Sequence, residues 1–212
     1  QVNGAGGAGD VDGANQTIYV RGNHTADFVL ESGQSLIGNG TALVVGGYTL
    51  TTAGANNTLS HGTGTGVLLN TNNTLSGFNV VGTNAAGTGI ADNNGTVGTL
   101  TVTNVNVTGS GQAIDIDQGG TLAAVFGQVS STGSASNGVH LQGVSGTFSA
   151  TSGQIETSTG VGFLIGASGG GTASSGGAAT ISYGGNLLNN GGASVEIQDR
   201  TGGTVTFTGT IT

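Results

Sequence analysis

Asp92, Asp115, Asp117 and His140 are the residues of this chain whose types and spacing could carry chemistry. They fall in three similar pieces of sequence: Gly89-Ile90-Ala91-Asp92-Asn93, Ala113-Ile114-Asp115-Ile116-Asp117 and Gly138-Val139-His140-Leu141-Gln142. If such pieces stack, Asp115 and His140 come to lie side by side, with Asp117 and Asp92 near them. Two or three carboxylates beside an imidazole suit a glycosidase or a bound cation. The plainer expectation is a solvated outer face with one Asp–His contact. A polysaccharide lyase would also need a basic residue, and the only two, Arg21 and Arg200, lie near opposite ends of the sequence.

The elements that must position these residues are short strands. Gly66–Asn70, Gly89–Asn93, Ala113–Asp117, Gly138–Gln142, Gly162–Gly166 and Ser194–Gln198 begin 23, 24, 25, 24 and 32 residues apart. Repetition at this period is the mark of a solenoid. With strand alternation, Val67/Leu69, Ile90/Asp92, Ile114/Ile116, Val139/Leu141, Phe163/Ile165 and Val195/Ile197 face inward, and only Asp92 breaks the apolar column. Leu68, Ala91, Asp115, His140, Leu164 and Glu196 form the outward column between them. A second ladder aligns Thr74-Leu75, Thr99-Leu100, Thr121-Leu122, Thr147-Phe148, Thr180-Ile181 and Thr204-Val205, and a third apolar place falls at Val107, Val129, Ile155 and Leu188. The expected fold is all-β: a single parallel β-helix over residues 16–212, with three short strands per coil of about 24 residues, after a non-repetitive lead-in or loose cap at 1–15. The upstream runs Thr17–Val20, Phe28–Leu30, Ser35–Ile37, Ala42–Val45, Tyr48–Thr52 and Thr58-Leu59 read as more strands of this series. The Gly/Ser-rich stretch Gly166–Gly177 accounts for the long step and should bulge as a loop.

Composition agrees and excludes several functions. The 212 residues include 46 Gly, no Pro, Cys, Met or Trp, and only 6% are charged. Low charge with many Val, Ile and Thr indicates a strand-rich chain rather than a disordered one. A net charge of −8 with two basic residues argues against nucleic acid and anionic membrane as partners. No apolar run approaches the ~20 residues of a membrane-spanning helix. A chain without Met that starts at Gln1 is expected to be processed, which points to export and a secreted or cell-surface location.

Thr17-Ile18-Tyr19-Val20 followed by Glu31-Ser32-Gly33-Gln34-Ser35-Leu36-Ile37-Gly38 resembles the opening of many pectin-lyase-like right-handed β-helix proteins. Asn73-Thr74-Leu75-Ser76-Gly77-Phe78 and Arg200–Phe207 resemble the coil phrases of large bacterial surface β-helix repeats. The resemblance covers about residues 16–212. It implies a right-handed parallel β-helix and a family that includes adhesins and structural repeats as well as polysaccharide lyases and hydrolases. The lyases of that family use acidic calcium ligands and a basic residue on an outer face, and that set does not map onto this chain residue by residue.

Other features carry smaller expectations. Asn70, Asn93, Asp117, Gln142, Gly166 and Gln198 form a fifth column in which amides would stack into hydrogen-bonded ladders. Asp10, Asp12 and Asn15 resemble the start of a calcium loop, without the distal Glu of an EF-hand, so no cofactor is expected beyond a calcium ion there. Irregular Thr columns leave ice binding as a third function. Asn15, Asn23, Asn39, Asn56, Asn72, Asn94 and Asn106 each begin an Asn-x-Ser/Thr triplet and are candidate glycosylation sites. His24 and His61 are expected to be isolated and exposed. The last residues, Gly203–Thr212, still read as strand, and an uncovered strand edge invites pairing with another chain. The expected function is therefore an extracellular structural or adhesive element rather than an enzyme. It would join end to end with copies of itself or with further β-helix repeats through Ile18, Val20, Val205, Phe207 and Ile211. A polysaccharide-binding or -cleaving β-helix using Asp92, Asp115, Asp117 and His140 is the alternative.

Overall fold

The computed structural model describes residues 12–167 and 175–212. Among these residues the chain is all-β, without a helix. The strands in chain order are β1 (Thr17–Val20), β2 (His24–Thr25), β3 (Phe28–Val29), β4 (Ser35–Gly38), β5 (Leu43–Val45), β6 (Tyr48–Thr51), β7 (Asn57–His61) and β8 (Thr65–Leu69). They continue as β9 (Thr74–Gly82), β10 (Thr88–Asp92), β11 (Thr99–Gly109), β12 (Gln112–Ile116), β13 (Gly120–Val129), β14 (Ser131–Thr132) and β15 (Val139–Leu141). The series closes with β16 (Val144–Ser152), β17 (Gln154–Glu156), β18 (Phe163–Ile165), β19 (Thr180–Tyr183), β20 (Asn186–Leu188), β21 (Val195–Ile197) and β22 (Val205–Phe207).

Three parallel sheets take up nearly all of them. One runs β1-β4-β9-β11-β13-β16-β19-β22, with β2 and β7 attached; a second runs β21-β18-β15-β12-β10-β8-β3; a third joins β14, β17 and β20. Every pairing links a strand to its counterpart in the next repeat rather than to its chain neighbour, which is what long parallel sheets compatible with a β-helix require.

The second sheet follows the register read from sequence. Val67, Ile90, Ile114, Val139, Phe163 and Val195 are paired in succession and face the core, as do Leu141, Ile165 and Ile116 beside them. The small residue that opens each strand has a packing reason. A Cβ on Gly89 would come 2.5 Å from Val107 Cγ1, and one on Gly138 would come 2.3 Å from Ile155 Cγ2. The long sheet at Val107 and the third sheet at Ile155 thus press apolar side chains onto the backbone at these places.

Elsewhere the register differs. Thr74 pairs with Thr101, not Thr99, and Ala123 with Thr147, so the Thr ladder slips by two residues at β9/β11 and again at β13/β16. A slip of two preserves which side chains face inward, so alternation alone does not reveal it. In the observed register Thr17, Ser35, Thr74, Thr101, Ala123, Thr147 and Thr180 fall in one column across the sheet, with a hydroxyl at every place but Ala123. In the third sheet Ile155 pairs with Ser131 and Leu187, and Leu187, not Leu188, is the fully buried residue.

Two expected strands of the repeat are instead an insertion. β5 and β6 pair with each other, antiparallel, around Gly46-Gly47. Both glycines have positive φ, the conformation of the tight two-residue hairpin turn. Val44, Val45, Tyr48 and Leu50 on this hairpin are exposed. The insertion explains why Phe28 and Val67, neighbours in the second sheet, are so far apart in sequence.

Toward β1 the core is mostly aliphatic, with Leu36, Leu59, Leu75 and Val80 fully buried beside Phe28 and Phe78, and toward β22 its rings are in mutual contact. Phe126, Phe148, Phe163 and Tyr183 form a chain of rings with centroids 5.5, 6.0 and 5.5 Å apart, which Phe207 extends at 5.3 Å from Phe163. Offset and edge-on contacts of this kind add to the burial of the rings. The Tyr183 hydroxyl donates to the Val129 carbonyl at 2.9 Å, and burial raises its pKa. No helix of the described residues is long and apolar enough to cross a membrane.

Candidate functional site

Asp115 lies on β12 and Asp117 is the first residue after it, while Ile114 and Ile116 fill the core. His140 is the paired neighbour of Asp115 on β15. Its Nδ1 lies 3.2 Å from Asp115 Oδ1. On its other side, Nε2–H donates to the Gly166 carbonyl at 3.1 Å. A carbonyl can only accept, so this contact fixes the proton on Nε2 and turns Nδ1 toward the carboxylates. One donor atom from each of Asp115, Asp117 and His140 lies within 4.8 Å of the others, and all three side chains are half-buried.

Electrostatics couple the pair. Burial works against a charged His140 ring. The contact with Asp115 and its charge, followed by the Gly166 carbonyl and the charge of Asp117, outweigh that and hold its pKa above the usual histidine value. Asp115 Oδ1 is shielded from solvent and accepts no well-aligned hydrogen bond, which leaves Nδ1 as its close polar neighbour.

Asp92 belongs to the support of this site, not to the cluster. Its Oδ2 accepts the backbone N–H groups of Asp117 at 2.8 Å and Gln118 at 3.0 Å. The acid that interrupts the apolar column therefore fastens the turn that follows β12. Its pKa is raised, chiefly by burial. Gln118 Nε2 in turn donates to Asp117 Oδ1 at 2.9 Å. The outward column is also less solvated than its alternation implies: Leu164 is fully buried and Ala91 nearly so.

The amide stack forms at a different place from the expected fifth column. Asn73 donates to the Glu31 and Gln34 carbonyls, and its Oδ1 accepts from Asn70 N. Gln34 makes the matching bond to Glu31 N and donates to Asp12 Oδ2 at 2.8 Å. These two buried amides repeat a turn-closing role on successive rungs. In both, the amide oxygen accepts from the backbone N–H three residues before it, Glu31 for Gln34 and Asn70 for Asn73. Within the expected column, Gln198 donates to Glu196 on its own strand. Of the calcium-loop candidates, Asp10 lies outside the described residues, Asp12 takes part in the Gln34 stack, and Asn15 is an exposed turn residue with φ 64°.

His61 is buried, contrary to expectation. Its Nδ1 contacts the Gly64 carbonyl at 3.2 Å, and its ring packs where Gly66, Gly82 and Gly87 leave room. His24 is exposed, as expected, with Nε2 3.0 Å from the Arg21 carbonyl. Arg200 spends its guanidinium on the carbonyls of Gly176, Ala179 and Gly202. Of the seven triplet asparagines, Asn15, Asn23, Asn72 and Asn94 are exposed, Asn39 is half-buried, and Asn56 and Asn106 use their amide N–H groups on neighbouring residues.

At the two ends of the long sheet, Ile18 is half-buried and Val20 buried on β1, while Val205 and Phe207 are half-buried on β22. Ile211 bridges to Leu187 and is half-exposed. Pockets of about 190 Å³, lined by residues including Tyr19, Arg21 and Thr51, and of about 220 Å³, lined by residues including Leu69, Asn93 and Thr96, lie outside the cluster. Both are smaller than the usual small-molecule cleft. No protein-family model, curated protein or solved structure matches this chain.

Proposed function

We propose that the parallel sheets are the faces of a right-handed β-solenoid of the pectin-lyase-like kind, with a coil of about two dozen residues, and that its role is structural. It acts as an exported element that extends by pairing its end coils with further coils, those of another copy above all. The observation that carries this reading is the state of the last rung. Val195, Ile197, Val205 and Phe207 stand in register on Phe163, Ile165, Ile181 and Tyr183, yet they are half-buried or, for Ile197, 43% exposed, where the residues beneath them are fully buried. Among the described residues, β1 pairs with β4 alone and β22 with β19 alone in the long sheet, so each keeps one free parallel edge. A copy placed on that edge continues the backbone ladder and covers Phe207 with Ile18 and Val20. Such strand addition takes its affinity from main-chain hydrogen bonds and its specificity from the inward side chains. Electron microscopy of the purified chain over rising concentration tests the proposal. Rods one coil-width across that lengthen with concentration are expected, and particles of constant length would overturn it.

A further inference from the structure

We propose that Asp115, Asp117 and His140 bind one divalent d-block cation of the zinc class. This inference is independent of whether copies assemble.

The first argument is placement. The parallel register sets His140 beside Asp115 on β12, and Asp117, the first residue after β12, brings a carboxylate oxygen within 4.8 Å of both. Zinc–nitrogen and zinc–oxygen bonds of about 2.0–2.2 Å put adjacent donor atoms of one shell roughly 3–3.5 Å apart. The 3.2 Å between Asp115 Oδ1 and His140 Nδ1 fits that spacing. The Asp117 carboxylate is near enough for a side-chain rotation to complete the set.

The second argument is orientation from outside the cluster. The Gly166 carbonyl holds the proton on Nε2, which is how metal-bound histidines are usually fixed, and it leaves Nδ1 as the donor. Gln118 steadies Asp117 through Oδ1, and the two backbone bonds to Asp92 steady the turn that carries both.

The third argument is the interior of the cluster. With Nε2 protonated, an unprotonated Nδ1 lies 3.2 Å from Asp115 Oδ1, an oxygen that is shielded from water and has no well-aligned hydrogen bond. Two electron-rich atoms so close need an electrophile between them. A proton is one, giving an imidazolium–carboxylate pair. A metal ion is the other, and it also takes Asp117 as a direct ligand. Imidazole plus carboxylate donors without thiolate favour zinc, nickel or cobalt over calcium, which takes an all-oxygen shell. Three protein ligands leave a coordination position for water.

Titration of the full chain with Zn²⁺ at about pH 8, where a proton competes least for the ring, is the test. One cation per chain is expected. His140→Ala and Asp117→Asn should each weaken binding by about tenfold or more, and His24→Ala should leave it unchanged. Calcium at the same concentration should not compete. Because His140→Ala could disturb its strand, imidazole ¹⁵N shifts of the unsubstituted chain give a second reading: zinc should shift Nδ1 of His140 while Nε2 stays protonated. Absence of binding, binding that survives His140→Ala, or binding lost instead in His24→Ala would each overturn the proposal in favour of a proton-bridged pair.

Discussion

Ile181 and Tyr183 on β19 and Val205 and Phe207 on β22 are written in the same alternating pattern and paired residue for residue. The first pair is fully buried; the second is not. The same contrast separates Phe163 and Ile165 from Val195 and Ile197. Sequence pattern assigns a side chain to the inside, but at the β22 end its burial depends on a rung lying on each side of it; at the opposite end Val20 on β1 and Phe28 on β3 are buried. An interior rung has both neighbours and contributes its full hydrophobic term. A terminal rung has one, so part of its contribution waits on whatever pairs next. In a long parallel sheet, energy is shared between neighbouring strands in this way.

The largest expected effect sharpens that contrast. Phe163→Ala removes a ring that touches Phe148, Tyr183 and Phe207 and should cost about 3–5 kcal/mol. Phe207→Ala, made in dilute solution, should cost only about 1–2 kcal/mol by the area it still exposes. Denaturant melts of the two variants check this, and equal losses would mean that the terminal rung is as well packed as the interior. Asp92→Ala should come next. It strips the backbone N–H groups of Asp117 and Gln118 of their acceptor and should cost about 1–3 kcal/mol. Asp92→Asn, which keeps a carbonyl oxygen, should recover much of it.

The outer face yields a smaller effect with a defined sign. In a chelator, the contact with Asp115 and its charge outweigh burial and hold the His140 pKa above its usual value in the folded chain. Folding then takes up a proton in that range. The stabilisation is complete below the unfolded histidine pKa of about 6.5 and is lost as pH rises through the folded value. Melts across that window should show the loss, and Asp115→Asn should flatten it. Smallest of all, Val44→Thr with Leu50→Thr on the exposed hairpin should shift stability by no more than about 0.5 kcal/mol, because both side chains are more than half exposed.

The second sheet was legible in sequence nearly residue by residue, including the outward neighbours Asp115 and His140, because its strands are short and each begins at a small residue that the opposite sheet requires. The long sheet was legible in its inward residues but not in its register, since a slip of two leaves the pattern of faces intact. The hairpin Leu43–Thr51 was missed because its Val, Tyr and Leu look like core strand; what marks it is the Gly46-Gly47 turn. At the site, spacing located the acids and the histidine. It could not show that Asp92 faces backbone N–H groups, nor that a carbonyl at Gly166 orients the ring, because both contacts depend on turns whose shape alternation does not encode. His61 was read as exposed for the same reason: its burial comes from glycines on other repeats.

Sedimentation velocity over a wide concentration range, for the chain and for Phe207→Asp, tests the central claim most directly. The account predicts growth into larger species with rising concentration, suppressed when a charge replaces Phe207 at the open rung and unaffected by Val44→Thr. A chain that stays monomeric at high concentration, or assemblies indifferent to Phe207→Asp, would contradict it.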